Sequence, residues 1–182
     1  MLRRLFLISA CAASLMAQEA VKPLVVVLIG PPGSGKTTQA QFLNRKYSLP
    51  IIGVEDLRSK AGAKLNPALK ARIQAADPSK GFVIDGYPST RAEADYLNAL
   101  VKELKLPAPV VIQLDVPDDV VRKRMEGKEK PEAFEKRLAA YHAEMDMLRQ
   151  SYPSADIWSI IGTRSIKEVS QTIVSLVQDR QQ

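Results

Sequence analysis

A glycine-rich segment at residues 30–37 holds the side chains with the clearest chemistry. It reads Gly-Pro-Pro-Gly-Ser-Gly-Lys-Thr and satisfies the G-x-x-x-x-G-K-[ST] pattern completely. Such a loop turns backbone N–H groups toward phosphate oxygens, while Lys36 places a point charge on a phosphate and the Thr37 hydroxyl can bind Mg²⁺. An apolar run before the loop and a helical pattern after it argue against a purely structural turn. The predicted phosphate-binding residues are Gly30, Pro31, Pro32, Gly33, Ser34, Gly35, Lys36, Thr37 and Thr38.

Length and composition narrow the class of protein. The chain has 182 residues, which fits one domain, and its single cysteine and single histidine exclude disulfide scaffolds and the usual Cys- or His-based metal sites. The formal net charge of +6 suits an anionic partner without choosing among nucleotides, nucleic acids and membranes. GTPases need N-K-x-D and D-x-x-G motifs, which the sequence lacks, and large motor ATPases need a longer chain. A small kinase that uses ATP and Mg²⁺ therefore fits best.

Strand-like apolar runs alternate with helical patterns along the chain. Residues 24–29 form a continuous apolar run, which is typical of a parallel strand buried on both faces. Further strands are predicted at residues 50–54, 81–85, 110–116 and 156–161. Helices are predicted at residues 35–47, 90–104, 131–152 and 165–179, and after Glu55, Pro67 and Pro117. This alternation predicts an α/β domain of three layers with a five-stranded parallel sheet, with Trp158 in its core and His142 packed or partly buried on a helix.

A second motif makes a family resemblance visible. The strand at residues 81–85 ends in Asp-Gly-Tyr-Pro at residues 85–88. Together with Gly-Pro-Pro-Gly-Ser-Gly-Lys-Thr-Thr-Gln-Ala over residues 30–40, it strongly resembles the adenylate kinase family of nucleoside monophosphate kinases. Weaker similarities follow in the family's order, and the resemblance covers most of residues 24–177. It implies the P-loop NTPase fold and transfer of the ATP γ-phosphate to a nucleoside monophosphate, AMP above all.

The resemblance also implies roles at the donor base and at the phosphates. Arg124 would lie against the donor adenine, and Gly162 would belong to the loop that closes over this base. Lys128 and Arg137 would neutralise phosphates, since phosphoryl transfer needs cations rather than a protein nucleophile. A salt-bridged helical surface is the alternative role for these basic residues, because residues 122–137 are rich in both charges.

On the acceptor side, Arg58 would grip the acceptor phosphate and Asp85 would hold Mg²⁺ through water, with Thr37 as the second metal-binding residue. The Ser-Thr-Gly expected before the acceptor helix is replaced by Gly-Val-Glu at residues 53–55, which removes a hydroxyl from this side. The implied acceptor-binding residues are Arg58, Asp85, Gly86, Tyr87 and Glu93.

The departures from the family pattern fall on the acceptor side and the lid. Ser89 stands where the pattern has an arginine, and Glu93 where it has a glutamine that reads the acceptor adenine. The acceptor segment at residues 55–80 and the lid at residues 127–136 are both short. A transition-state arginine is worth on the order of 10³ to 10⁵ in rate, so we expect Arg91 to turn back and replace the missing catalytic group. Two alternatives stay open: a kinase of another small metabolite, and a nucleotide-binding protein with little or no turnover.

The first 17 residues predict a segment separate from the kinase-like domain at residues 22–182. Arg3 and Arg4 precede an uncharged run at residues 5–17, as in a secretory signal, and the run is too short to span a bilayer. Met16 is a competing start, which would place the protein in the cytoplasm. We expect small-molecule nucleotides as partners, no nucleic acid, no stable membrane insertion and a monomer.

Overall fold

A central parallel sheet organises the chain. The computed structural model describes residues 22–151 and 157–181. Its strands are β1 (Leu24–Ile29), β2 (Ile51–Gly53), β3 (Gly81–Asp85), β4 (Val110–Asp115) and β5 (Ile157–Ile161), in the spatial order β2-β3-β1-β4-β5. Every neighbouring pair of strands is parallel. The predicted five-stranded parallel sheet is confirmed, and the strand ends lie within one residue of the predicted ones.

The helices of the described residues follow the strands in the predicted order. They are α1 (Lys36–Tyr47), α2 (Val54–Ala61), α3 (Leu65–Ala75), α4 (Arg91–Glu103), α5 (Asp118–Met125), α6 (Pro131–Ser151) and α7 (Ile166–Gln181). Thr90 caps α4, because its hydroxyl accepts a hydrogen bond from the Glu93 N–H at 3.2 Å. Pro117 is the N-cap of α5, and the two aspartates that follow it complement the helix dipole.

β1 lies in the middle of the sheet and is buried on both faces. All its side chains are buried. The odd-numbered residues face a cluster with α3, α4 and α6, whereas the even-numbered residues face a cluster with α1 and α7. Because neighbouring side chains of a strand alternate between faces, burial on both sides requires an uninterrupted apolar run. The helices therefore form one layer on each side of the sheet, as the sequence predicts.

The parallel strands bring their carboxyl ends to one edge of the sheet. Leu28, near the end of β1, and Gly53, at the end of β2, both pair with Asp85 at the end of β3. β4 and β5 also end together, since Asp115 pairs with Ile161. Ligands of open α/β sheets bind beyond this edge, so the fold places the phosphate loop and Asp85 where a nucleotide would bind.

Two side chains lie in environments that differ from the predictions. Trp158, predicted to lie in the core, is 37% exposed, because β5 is an edge strand of the sheet. His142, predicted to pack against its helix neighbours, is exposed and its Nε2 lies 3.0 Å from an Asp118 carboxylate oxygen. The imidazole therefore contacts Asp118 of α5 and does not pack against the apolar face of α6.

Residues 1–21, 152–156 and 182 lie outside the described residues. The first of these segments contains residues 1–17, for which the signal-like segment is predicted. Among the helices that the structure describes, none has both the length and the hydropathy needed to cross a membrane.

Candidate active site

The phosphate loop, residues 30–37, joins β1 to α1 in a conformation that requires glycine. Gly33 has a φ of +78°, and a Cβ built on it would lie 2.8 Å from Met125 Cγ. Gly30 has a φ of +151°, and a Cβ there would lie 2.9 Å from the Leu114 carbonyl oxygen. A larger residue at either position would push the loop away from α5 or β4. The glycines therefore let the loop lie directly against both elements.

Lys36, the first residue of α1, folds its side chain back over the phosphate loop. Its Nζ donates hydrogen bonds to the carbonyl oxygens of Gly30 at 2.8 Å and Pro31 at 3.0 Å. Removal from water lowers the pKa of this ammonium, although the nearby carboxylate of Asp85 opposes the shift. The carbonyl oxygens of the loop thus hold the lysine charge within the loop.

Ser34 contributes a buried hydroxyl to the same loop. Its Oγ has no hydrogen-bond partner among the described residues, and it lies 2.9 Å from the position that a Cβ on Gly30 would take. A buried hydroxyl without a partner costs free energy, which a ligand atom in the loop would recover. The Ser34 hydroxyl is therefore suited to donate a hydrogen bond to a phosphate oxygen of a nucleotide.

The two predicted metal-binding residues lie side by side. The Thr37 hydroxyl donates a hydrogen bond to Asp85 Oδ2 at 2.7 Å. The pairing of β1 with β3 brings them together, since Thr37 is the last residue of the phosphate loop after β1 and Asp85 ends β3. Hydroxyl and carboxylate oxygens are the hard ligands that Mg²⁺ takes while it keeps several waters. The pair therefore fits the predicted Mg²⁺ site.

One side of the phosphate loop opens into a cavity of about 400 Å³, which we call the donor cavity. Arg124, from α5, donates a hydrogen bond to the Gly162 carbonyl oxygen at 2.9 Å and lies 3.4 Å from the carbonyl oxygens of Gly33 and Ser34. This guanidinium ties the phosphate loop to the loop after β5. The predicted nucleotide-binding residues that line the cavity are Gly33, Ser34, Gly35, Thr38, Arg124, Lys128 and Gly162.

The other side of the phosphate loop opens into a second cavity of about 360 Å³, which we call the acceptor cleft. Gly30, Pro32 and Lys36 of the loop form one wall, and α2 and α6 form the others. The charged residues of the lining are Lys36, Glu55, Arg58, Arg137 and Glu144. The phosphate loop therefore lines both cavities, with Lys36 on the acceptor side.

Arg58 of α2 reaches the acceptor cleft and is bound there by Glu93 of α4. Its guanidinium donates to Glu93 Oε1 at 2.7 Å and Oε2 at 3.1 Å, and to the Ser89 hydroxyl at 3.0 Å. The Ser89 N–H donates to the same carboxylate at 2.8 Å. Burial alone would raise the pKa of Glu93, but these hydrogen bonds and the Arg58 charge outweigh burial and hold it below its usual value. Glu93 thus remains ionised and holds Arg58 in place.

Tyr87 supports this arrangement from behind the cleft. Its ring is fully buried, and its hydroxyl lies 2.9 Å from Asn66 Oδ1 and 3.0 Å from the Glu93 carbonyl oxygen. Of the predicted acceptor-binding residues, Arg58 and Gly86 line the cleft, whereas Tyr87 and Glu93 lie behind its wall. The structure therefore gives these two residues a supporting position.

Arg137 of α6 lies between two carboxylates. It donates to Glu129 of the lid at 3.1 and 3.2 Å, and its other guanidinium nitrogen lies 3.3 Å from Glu55 of α2. Its charge also contributes to lowering the pKa of Lys36. Arg137 thus lines the same cavity as Lys36, and its charge is balanced from both sides of the cleft.

Arg91 does not reach the cleft, which corrects the expectation that it replaces the arginine missing at position 89. Its side chain is 64% exposed, and its guanidinium lies 3.8 Å from Asp95 one turn further along α4. Residues two apart on a helix do not face the same side, so Arg91 points outward when Glu93 points inward.

Two acids of the acceptor side escaped the sequence predictions, Glu144 in the cleft lining and Glu129 beside Arg137. Glu144 falls seven residues after Arg137, and this spacing of two helical turns places both on one face of α6, a signal that could have revealed it. Glu129 lies in the lid before α6, where no periodicity indicates its direction.

Comparisons with known proteins agree with this arrangement. A family model described as adenylate kinase matches residues 64–157, just over half of the chain. An adenylate kinase of Bartonella tribocorum is 30% identical over 185 residues, covering 81% of this chain and 96% of that protein. One of Thermodesulfovibrio yellowstonii is 27% identical, covering 85% and 99%, and one of Methanosarcina acetivorans is 37% identical, covering 57% and 58%. The chain therefore belongs to the adenylate kinase family, whose members are nucleoside monophosphate phosphotransferases that use ATP and Mg²⁺.

Proposed function

We propose that this chain transfers the γ-phosphoryl group of MgATP to AMP, with ATP in the donor cavity and AMP in the acceptor cleft. The observation that carries the proposal is that one phosphate loop lines both cavities. Two nucleotides bound on its two sides would present their phosphates to each other across Lys36. Bringing the reacting groups together in this way supplies much of the catalysis in such transfers.

On the donor side, the loop N–H groups and Lys36 hold the ATP phosphates, and Thr37 and Asp85 hold Mg²⁺, which neutralises phosphate charge when bound. Arg124 lies against the donor adenine and Lys128 approaches the phosphates from the lid. Support comes from the Thr37–Asp85 contact and from the place of Arg124 and Lys128 in the donor cavity.

On the acceptor side, Arg58 and Arg137 hold the phosphate of AMP. Each already lies in the acceptor cleft, so no large movement is needed to reach a ligand there. Glu93 acts as a positioning residue that directs Arg58, and Gly86 lets the backbone after β3 approach the acceptor closely. Arg137, beside Lys36, also stabilises the charge that spreads over the transferred group.

The experiment is ADP formation from MgATP with AMP, CMP, GMP and UMP offered in turn. We expect AMP to give the highest kcat/KM, and Lys36→Ala to abolish turnover while the fold stays intact, because Lys36 faces the ligand site rather than the core. A higher kcat/KM for another monophosphate would refute the AMP assignment. Unchanged turnover in Lys36→Ala would refute the assignment of the phosphate loop.

The same proposal includes the oligomeric state of the protein and its cellular location. It acts as a monomer, since both cavities are built from a single chain, and it acts in the cytoplasm if translation starts at Met16. Export through residues 1–17 is the alternative. Light scattering tests the first point, and N-terminal sequencing of protein from its native cell tests the second.

A further inference from the structure

Glu144 of α6 is an acid of the acceptor cleft to which the proposed function gives no role. It lies two helical turns beyond Arg137, and both side chains line the cleft. At 1.5 Å of rise per residue, Glu144 stands about 10 Å further along the helix than Arg137. Its side chain is half-buried, so its charge acts in a partly dry environment.

The groups that face Glu144 come from α2, α4 and the loop before α4. Burial raises the pKa of Glu144; the positive charge of Arg58 opposes the shift, and the negative charge of Glu93 adds to it. The Ser89 hydroxyl, which donates to Glu93, also lies near the Glu144 carboxylate and opposes the shift. On α6 itself, burial raises the pKa of Tyr141 to about 12, so this phenol stays neutral.

None of the described cations of the cleft forms an ion pair with Glu144. Arg58 is paired with Glu93, and Arg137 is paired with Glu129 and Glu55. Among the described residues, no lysine or arginine lies within ion-pair distance of Glu144. Lys36, the third cation of the cleft, is bound to carbonyl oxygens of the phosphate loop, so Glu144 is an acid of the cleft without an ion-pair partner in the described part of the chain.

We propose that Glu144 is a specificity-determining residue of the acceptor cleft, whose charge weakens the binding of acceptors that carry a phosphate group. This rests on the proposed function, because it takes the acceptor cleft as the site of the nucleoside monophosphate. Neutralising Glu144 keeps the shape of the cleft and removes one repulsion, so a phosphorylated acceptor binds more tightly. An acceptor that lacks the phosphate gains nothing.

The test is calorimetric binding of AMP and of adenosine to wild type, Glu144→Gln and Asp146→Asn, with a non-hydrolysable ATP analogue filling the donor cavity. Asp146 lies on the same helix but is exposed and outside the cleft lining, so its variant removes one charge elsewhere. We expect Glu144→Gln to bind AMP at least about fivefold more tightly near pH 8, with adenosine binding unchanged. Asp146→Asn should stay within about twofold of wild type for AMP. With MgATP, Glu144→Gln should lower the KM for AMP.

The pH dependence separates the charge of Glu144 from its shape. Burial raises the pKa of Glu144, so this carboxylate takes up a proton at a higher pH than an ordinary glutamate does. As the pH falls, the ratio of the AMP dissociation constants of wild type and Glu144→Gln should therefore move toward one. The AMP phosphate also takes up a proton, at about pH 6, which weakens the same repulsion in wild type and moves the ratio in the same direction. Equal AMP affinities near pH 8, an equal gain with adenosine, or a ratio independent of pH overturns the proposal. A wild type that binds AMP but transfers nothing to it refutes the proposed function instead, and the binding data still decide the role of Glu144.

Discussion

Glu93→Ala measures how strongly Glu93 holds the acceptor side together. The carboxylate, 12% exposed, receives hydrogen bonds from Arg58 and from the N–H and hydroxyl of Ser89. Hydrogen bonds to charged groups contribute about 1.5–3 kcal/mol each, but water replaces part of this because Arg58 is 42% exposed. We expect the free energy of unfolding to fall by about 1–2 kcal/mol.

Thermal and urea unfolding check this value. In a chain of this size the loss corresponds to a Tm lower by about 2–8 °C. The pKa of folded Glu93 lies below its ordinary value, so the stability it contributes is present above that ordinary value and is lost as the pH falls through the folded pKa. The difference between wild type and variant should therefore shrink below about pH 4.

Glu103→Ala is the matched control for this measurement. Glu103 lies on the same helix and also pairs with a cation of a neighbouring helix, Lys70, but its side chain is 56% exposed. Its removal should change the free energy of unfolding by no more than about 0.5 kcal/mol. Equal losses in the two variants, or a loss in Glu93→Ala that persists at acid pH, would refute this reasoning.

Three further substitutions test the placement of the basic residues by steady-state kinetics. Arg91→Ala should leave kcat and both KM values within about twofold of wild type, because Arg91 lies beside Asp95 on the outer surface. Glu129→Gln releases Arg137 from a partner 3.1 Å away and should lower the KM for AMP about two- to fivefold; a rise would mean that the pair orients Arg137. Arg124→Ala should raise the KM for ATP about tenfold or more and leave the KM for AMP unchanged, because Arg124 lines the donor cavity and not the acceptor cleft.

The fold and the donor side follow from the sequence because their geometry is local. Residues 30–38 are contiguous, and a buried strand and a helix on either side leave the loop little choice of conformation. The acceptor side depends on pairs that spacing does not reveal, such as Arg58 with Glu93, 35 residues apart. The expectation for Arg91 failed because closeness along the chain to Ser89 says nothing about direction on a helix.

The two sides of the phosphate loop also differ in how their cations are balanced. Lys36 and Arg124 donate to backbone carbonyl oxygens, which a phosphate can outcompete, whereas Arg58 and Arg137 donate to carboxylates. An acceptor phosphate must therefore compete with the protein's own acids for these arginines, and acceptor affinity is limited by that competition more than by a shortage of cations. An arginine introduced at position 89 would lie beside Glu93 and Glu144, and these two carboxylates would offset much of its positive charge. Removing an acid from the cleft is consequently the more direct route to tighter acceptor binding than restoring the family's arginine.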